Sequence, residues 1–206
     1  MLVIWGRANS INVQKVLWCC EEMGAPYERK DAGGSFGIVT TPEYRQMNPN
    51  ALVPTIEDDG FVLWESNAIV RYLARKIGRG GLLPSDPAAA ARADQWMDWQ
   101  VSVFWPAIRP LFLGLVRTPP EQRDQNALEA ARKKTAEVLG ILESHLATHP
   151  FVAGATFSMG DIPLGASVWR WMALPIQRPE MPHVQRWFNT LAKREPFARL
   201  VMQPLT

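Results

Sequence analysis

Two serines lie where their hydroxyl groups could bind an anion. Ser10 precedes the apolar positions of one predicted helix, and Ser66 begins another. A serine at a helix start accepts a hydrogen bond from a free backbone N–H group, which is ordinary capping. The same end of a helix also attracts carboxylates and other anions. Both roles, cap and anion site, are therefore open for each serine.

Ser158 and Asp161 form a second polar pair. Their spacing is that of a capping box, with Ser158 as N-cap and Asp161 at the third helical position, and Phe157 and Ile162 can add a hydrophobic staple. A catalytic Ser-Asp pair would need a histidine base, which the motif lacks. We therefore predict that this pair serves folding.

The cysteines and histidines do not have the spacing of a metal site. Cys19 and Cys20 are adjacent, which suits neither a disulfide framework nor a zinc or redox motif. His145 and His149 lie four residues apart near a helix end, without a carboxylate or thiol companion, where histidines act as C-terminal cations. We predict no metal ion, and we expect both cysteines to pack in the core.

The composition is that of a globular protein with a hydrophobic core. Of 206 residues, 47% are hydrophobic and 20% are charged, with a formal net charge of +2. Basic and acidic residues are interspersed, so we predict no nucleic-acid or membrane partner. The segment Met1–Arg7 lacks a long apolar leader pattern, so we expect the protein to be cytoplasmic.

Strand and helix patterns alternate in residues 1–78. Strands are predicted at 2–5, 27–30, 55–57 and 61–64, and helices after Ser10, at 42–47 and from Ser66 to Gly78. The Asp-Asp-Gly turn at 58–60 predicts an antiparallel hairpin. The order is therefore βαβαββα.

A breaker-rich run, 79–87, predicts a linker to a second domain, 88–206. Asp86 and Pro87 suit an N-cap and a first helical position, and no strand pattern follows. Further helices are predicted at 121–146 and 186–194, the latter ending before Pro196. The fold class is an α/β domain followed by an all-α domain.

The βαβαββα order, with Val53-Pro54 at the entry of the third strand, is typical of a thioredoxin-like domain. In that arrangement the proline faces the N-terminus of the first helix. A cis Val53-Pro54 bond would suit the position, because cis costs only about 0.5 to 1 kcal/mol before proline. A trans proline on an edge strand is the alternative.

The segments 48–56 and 63–69 resemble the glutathione-binding half of glutathione transferases. The linker, the helical second half and the capping box follow in that family's order, so the resemblance covers essentially the whole chain. With serine at position 10, the chain is similar to serine-type bacterial members of the theta, zeta or nu kind. The resemblance implies an enzyme that uses glutathione as co-substrate against a small hydrophobic electrophile in detoxification, and that forms a homodimer.

The resemblance also implies roles for particular residues. Val53, at the cis turn with Pro54, would pair its backbone with the cysteinyl part of glutathione. Ser66 and its helix start would hold the γ-glutamyl carboxylate, and Glu65 would meet the γ-glutamyl ammonium. Ser10 would donate a hydrogen bond to the glutathione sulfur and stabilise the attacking thiolate.

Two positions depart from this pattern or compete with it. Asn12 occupies a place where some bacterial relatives use an amide in the role proposed for Ser10. At Leu52 many relatives carry a polar side chain that reaches the glycyl end of glutathione, whereas leucine offers only its backbone. Asn50 or the loop 33–35 could replace that contact.

Trp105, Arg109 and Phe112 share one face of a predicted helix, so they could form an aromatic wall with one cation for the electrophile. Structural packing is the alternative for each. Two other functions also remain open: a non-catalytic ligand-binding or interaction protein, and a glutathione-dependent disulfide reductase or peroxidase that uses Ser10 and Asn12.

Overall fold

The computed structural model describes residues 1–78 and 81–206. Arg79 and Gly80, which belong to the predicted linker, lie outside the described residues. The division into 1–78, 79–87 and 88–206 therefore stays a prediction, although Pro87 is already the first residue of a helix.

The N-terminal half is a mixed sheet flanked by helices. Its strands are β1 (Leu2–Trp5), β2 (Tyr27–Lys30), β3 (Thr55–Asp58) and β4 (Phe61–Trp64), and its helices are α1 (Ile11–Glu22), α2 (Pro42–Met47) and α3 (Ser66–Ile77). The strand order is β2-β1-β3-β4, with β1 parallel to β2 and antiparallel to β3. The predicted βαβαββα unit is confirmed.

The β3–β4 hairpin forms where the turn residues predict it. Asp58 pairs with Phe61, which leaves Asp59 and Gly60 as a two-residue loop. Both have positive φ, 51° and 89°, as the tight turn that matches strand twist requires. This turn fixes the register that brings Thr55 and Trp64 together at the open end of the hairpin.

The C-terminal half is helical. Its helices are α4 (Pro87–Trp99), α5 (Trp105–Phe112), α6 (Gln125–Leu146), α7 (Asp161–Ala173), α8 (Pro182–Ala192) and α9 (Glu195–Leu200). π-Helical turns at Gln100–Phe104 and Leu113–Arg117 join α4 to α5 and extend α5, so one long helix runs through Pro87–Arg117. Asp86 caps it as predicted, accepting the Ala89 N–H at 2.8 Å.

The long helix Pro87–Arg117 is apolar and long enough, by length and composition alone, to cross a membrane. In the fold, its α5 part packs against α6 and its α4 part against α7, and Met97, Phe104 and Ile108 are buried. One side of the helix therefore packs in the bundle, while only 28% of its apolar window is buried. The expected absence of a membrane partner stays a prediction.

Two predicted helix boundaries are wrong. The helix predicted at 121–146 begins at Gln125, because Pro120–Gln122 forms a 3-10 turn and Asp124 caps α6 by accepting the Ala127 N–H at 3.0 Å. The helix predicted at 186–194 spans Pro182–Ala192. The helix does end before Pro196, as predicted, and Pro196 lies in the first turn of α9, where proline loses no intrahelical bond.

The capping box is also displaced. Helix α7 begins at Asp161 with Gly160 at its cap, so Ser158 is not the N-cap as predicted. One bond of the box forms, because the Ser158 N–H donates to Asp161 Oδ2 at 2.9 Å. Ser158 Oγ accepts the Gly160 N–H at 3.3 Å in place of the Asp161 N–H, which donates to the Ser158 carbonyl at 3.1 Å. The motif orders the approach to α7 rather than its first turn.

Helix α1 joins the two halves of the chain. It packs against α3 in the N-terminal half and against α7 and α9 in the C-terminal half. Trp18, fully buried, contacts Phe157 and Phe197 with ring centroids 5.6 and 4.7 Å apart. Because buried aromatic area dominates packing energy, these contacts hold α1 at the junction of the two halves.

Candidate active site

Ser10 occupies the N-cap position of α1. Its carbonyl accepts the Gln14 N–H at 2.8 Å, and its own N–H donates to the Arg7 carbonyl at 3.2 Å. Its side chain is 9% exposed, and its hydroxyl makes no capping hydrogen bond in the described structure. The backbone of Ser10 therefore starts the helix while its hydroxyl stays available to a group beside the helix end.

The Val53-Pro54 bond is cis, as predicted. The loop before it is held from α2, because the Tyr44 hydroxyl and the Asn48 amide both donate to the Leu52 carbonyl, at 2.8 and 2.9 Å. The Leu52 side chain is 64% exposed. Since the Leu52 carbonyl already accepts two hydrogen bonds, the backbone group of Leu52 that remains for a ligand is its N–H.

The start of α3 lies against the start of α1. Ser66 is the first residue of α3 and is buried, and its hydroxyl donates to Asn12 Oδ1 at 3.3 Å. Glu65 directly before it is exposed and has φ of 70°, which is rare for a residue with a side chain. Such conformations cost about 1 to 3 kcal/mol and concentrate at functional sites.

Gly33 and Gly34 lie between the Val53 loop and the segment before Ser10. A Cβ added at Gly33 would lie 3.2 Å from a Val53 methyl, and one added at Gly34 would lie 2.9 Å from Arg7 Nε. Both glycines have positive φ and are therefore suited to this close approach. The loop at 33–34 thus packs between Val53 and Arg7. Arg7 lies three residues before Ser10 in the sequence.

The residues predicted for the electrophile come together only in part. Trp105 is half-buried and Phe112 is buried, with ring centroids 6.3 Å apart, whereas Arg109 is exposed. The cation beside Phe112 is Arg117, whose guanidinium lies 5.6 Å from the ring centroid.

Thr206 links Arg117 to the loop that carries Ser10. Arg117 Nη2 donates to the Thr206 carbonyl at 3.4 Å, and the Asn9 amide donates to the Thr206 hydroxyl at 2.7 Å. Burial and the charge of Arg117 lower the pKa of Arg7, whose Nη1 is buried without a hydrogen-bond partner among the described residues. The charges of Arg7 and Arg117 therefore make the electrostatic potential near Ser10 positive.

Comparisons with known proteins agree with this geometry. Residues 9–76 match the family model of the glutathione S-transferase N-terminal domain, and residues 103–195 match that of the C-terminal domain. The chain is 41% identical to glutathione S-transferase GstB of Escherichia coli K12, with 100% of both chains covered. The chain belongs to the glutathione S-transferase family.

Other relatives of this glutathione transferase lead to the same conclusion. Glutathione S-transferase 3 of Zea mays is 31% identical, with 97% of this chain and 93% of the relative covered. The theta class enzyme of Xanthomonas axonopodis pv. citri, solved with glutathione bound, superposes with a TM-score of 0.95 at 48% identity, covering 100% and 99% of the two chains. The predicted family, fold and enzyme class are confirmed, which sets aside the non-catalytic alternative.

The cysteines of this glutathione transferase are core residues, as predicted. Both side chains are buried in α1. Burial raises the pKa of Cys20 to about 12 and the pKa of Cys19 well above its usual value. Neither thiol is therefore ionised near neutral pH, and neither is a nucleophile.

Sequence analysis missed a buried polar network beside Ser66. The Lys15 ammonium, 3% exposed, donates to Ser66 Oγ, Asn67 Oδ1 and Gln100 Oε1 at 3.5, 3.4 and 3.2 Å. Burial, and next the charge of Arg170, lower the pKa of Lys15 to about 7. The available signal was a Gln-Lys pair, 14–15, within an otherwise apolar part of the first helix.

Proposed function

We propose that this glutathione transferase binds glutathione across the starts of α1 and α3, and that Ser10 stabilises the thiolate that attacks a small hydrophobic electrophile. The observation that carries the proposal is the Ser10 hydroxyl, which is buried at a helix start and makes no capping bond. The Ser66–Asn12 hydrogen bond supports it further, because it brings the second helix start beside the first.

Glutathione would lie extended over this surface. The backbone of Val53 at the cis bond would pair with the cysteinyl residue, as a short strand-like contact. The N–H groups at the start of α3 and the Ser66 hydroxyl would hold the γ-glutamyl carboxylate, with Glu65 near the ammonium. For the glycyl carboxylate the loop 33–35 is favoured, because the Asn50 amide is already bonded to Asn48 Oδ1 at 3.2 Å.

The energetics require no general base. A thiol pKa of about 8.5 must fall by about two units for the thiolate to dominate near neutral pH, which takes about 2.7 kcal/mol. One hydrogen bond to a charged group contributes about 1.5 to 3 kcal/mol. The end of α1 adds about 0.3 to 1 kcal/mol. The positive charges of Arg7 and Arg117 act in the same direction.

In the reaction, the thiol proton leaves to solvent and the thiolate attacks an electrophilic carbon. A carbon–sulfur bond forms as the bond to the leaving group breaks, and the leaving group departs with the electron pair. Trp105 and Phe112 would contact the apolar body of the electrophile. Ser10 would donate its hydrogen bond to the sulfur until the new bond has formed.

The direct test measures glutathione binding by calorimetry and conjugation to a chlorinated dinitroarene. We expect saturable binding and enzyme-dependent product with glutathione. N-acetylcysteine is the matched control, because it keeps the thiol but lacks the γ-glutamyl and glycyl groups, and we expect no enzymatic acceleration with it. Absence of glutathione binding would overturn the proposal. Binding with turnover of disulfides or peroxides alone would favour the reductase or peroxidase alternative with Ser10 and Asn12.

We also propose that a second copy of the chain covers the face formed by β4, α3 and the long helix. β4 is an edge strand, and Phe61, Trp64, Val101 and Val103 are exposed. Phe61 contacts Tyr72 of α3, with ring centroids 5.1 Å apart, which continues the apolar surface from the strand to the helix. Exposed apolar edges are normally covered, and a homodimer would cover this one.

Sedimentation equilibrium tests the homodimer. We expect the wild type at twice the chain mass and Phe61→Glu as a monomer, because a carboxylate in an apolar interface has no partner. Ile141→Glu is the matched control, since Ile141 is equally apolar and exposed but lies on α6. A monomeric wild type, or a dimer that Phe61→Glu leaves intact, would contradict this face.

A further inference from the structure

Two buried cations lie in the interface between the halves of the chain. Lys15 of α1 donates to neutral oxygens of Ser66, Asn67 and Gln100. Arg170 of α7 donates to the Gln14 side-chain oxygen at 2.6 Å and to the Ala166 carbonyl at 2.9 Å. Within residues 1–78 and 81–206, neither cation forms an ion pair with a carboxylate. Buried charges in proteins are normally paired, so this interface has unmatched positive charge.

Polar and charged groups from three helices surround the Lys15 side chain, together with its neighbour on α1. They are Gln14 on α1, Glu65 with Ser66 and Asn67 at the start of α3, Gln100 on the long helix, and Ser167 with Arg170 on α7. Only Glu65 and Arg170 are charged, and they act on Lys15 in opposite directions. Burial lowers the pKa of Arg170 to about 9, which is still above that of Lys15, so Lys15 is the cation of the network that titrates near neutral pH.

The network places Lys15 one hydroxyl away from the proposed carboxylate site. Its ammonium donates to Ser66 Oγ, and Ser66 donates in turn to Asn12 at the start of α1. When a carboxylate binds the N–H groups of α3, the Ser66 hydroxyl would donate its one proton to that carboxylate in place of Asn12. The carboxylate would then bring the missing negative charge to Lys15. A nearby carboxylate favours the charged form of a lysine, and a nearby ammonium favours the charged form of a carboxylate.

We propose that Lys15 is the cation that the γ-glutamyl carboxylate of glutathione neutralises through Ser66, and that glutathione binds with uptake of a proton by Lys15. The proposal rests on the binding mode given above. Lys15 touches Ser66 and not the reacting sulfur, so it is a positioning residue. Lys15 is therefore expected to change the affinity for glutathione and the pH dependence of that affinity.

The sign of the pH dependence follows from the two protonation states. In the free enzyme the pKa of Lys15 is about 7, so the ammonium is mostly charged at lower pH and mostly neutral at higher pH. The bound carboxylate favours the charged form and raises that pKa. The complex therefore holds more protons than the free enzyme at pH values above about 7, and the affinity falls as the pH rises through this range.

The experiment uses S-methylglutathione, which keeps the γ-glutamyl group but has no thiol to ionise. Calorimetry at about pH 8, in buffers of different ionisation enthalpy, measures protons taken up on binding. If the bound carboxylate raises the Lys15 pKa by about two units, the wild type takes up more than about half a proton, and its Kd rises about tenfold between about pH 6 and 8.

Lys15→Met isolates the contribution of Lys15. It should bind S-methylglutathione more weakly below pH 7 and take up only the protons that belong to the ligand ammonium. Lys193→Met is the matched control, because Lys193 is exposed on the C-terminal side of α8, and it should behave as the wild type. Equal proton uptake by wild type and Lys15→Met would overturn the proposal while leaving the proposed function intact. Failure of the wild type to bind would overturn both.

A second measurement follows the titration of the lysines in the wild-type protein itself. The chain has six lysines, so side-chain NMR of labelled wild-type protein can follow each ammonium against pH. We expect one lysine to titrate near pH 7 in the free enzyme and at least one unit higher with S-methylglutathione bound. Lys15→Gln, which keeps a hydrogen-bond donor without charge, assigns that signal. A signal that the ligand does not move would contradict the proposal.

Discussion

Ser10→Ala is expected to lower the rate constant of conjugation about 10- to 100-fold at about pH 6.5, with the Kd of glutathione changed less than about threefold. The hydroxyl is proposed to bond the sulfur, and its hydrogen bond to a thiolate is worth about 1.5 to 3 kcal/mol. The variant keeps the Val53 and Ser66 contacts and therefore most of the binding. Pre-steady-state kinetics gives the rate constant, and calorimetry gives the Kd.

The pH profile separates this role from a structural one. Loss of the hydrogen bond should raise the pKa of the bound thiol by about one to two units, so that Ser10→Ala recovers activity at high pH. Ultraviolet titration of the bound thiolate measures this shift directly. Ser10→Thr keeps the hydroxyl and should retain a profile close to that of the wild type.

Asn12→Ala is the comparison variant for the competing amide. Because Asn12 lies against Ser66 and links the starts of α1 and α3, its loss should loosen the carboxylate site and raise the KM for glutathione more than it lowers kcat. The opposite pattern, with Ser10→Ala unchanged and Asn12→Ala slow at low pH, would assign thiolate stabilisation to the amide.

The N-terminal half could be predicted from sequence because local residues determine its turns. Asp59 and Gly60 adopt the positive φ that their types permit, and Gly78 ends α3 in the left-handed conformation. The cis bond at Val53-Pro54 needed an additional premise, the resemblance to glutathione transferases, because base rates alone favour a trans bond. Local rules and fold agree at the other positions.

The C-terminal boundaries could not be predicted because contacts distant in sequence decide them. Glu143 on α6 accepts the His183 and Val184 N–H groups at 3.1 and 2.8 Å, which fixes the start of α8 at Pro182, earlier than its apolar spacing indicates. The local sequence pattern indicates only a capping role for Asp161. Asp161 also binds groups from two other segments of the chain, and no local pattern could indicate those.

The site itself shows the same division. Ser10 and Ser66 were predictable as helix starts, but their proximity through Asn12 depends on the packing of α1 against α3. Lys15 is the clearest omission. A lysine is expected to lie at the surface, and only the closure of α7 and the long helix over α1 makes this one buried.

Asp161→Ala is expected to destabilise the protein by more than about 4 kcal/mol, which is a large share of the roughly 5 to 15 kcal/mol that folded domains possess. The fully buried carboxylate accepts the Val152 and Ser158 N–H groups at 3.1 and 2.9 Å, the Ser158 hydroxyl at 3.1 Å and the Trp187 indole N–H at 2.9 Å. Each buried donor left without a partner costs about 1 to 3 kcal/mol.

Urea denaturation followed by tryptophan fluorescence and circular dichroism at about pH 7.5 measures this loss; burial raises the pKa of Asp161 only to about 6, so the carboxylate is ionised there. Asp161→Asn should lose less stability, because one oxygen still accepts hydrogen bonds, yet its amide nitrogen faces donors and cannot restore the network.

Asp124→Ala is the matched control: Asp124 caps α6 through a single exposed bond, and its loss should cost about 1 kcal/mol. A similar cost for Asp161→Ala would mean that the four donors find other partners. In that case the loop 152–160 would be held by apolar packing around Val152 and Phe157, and not by the carboxylate.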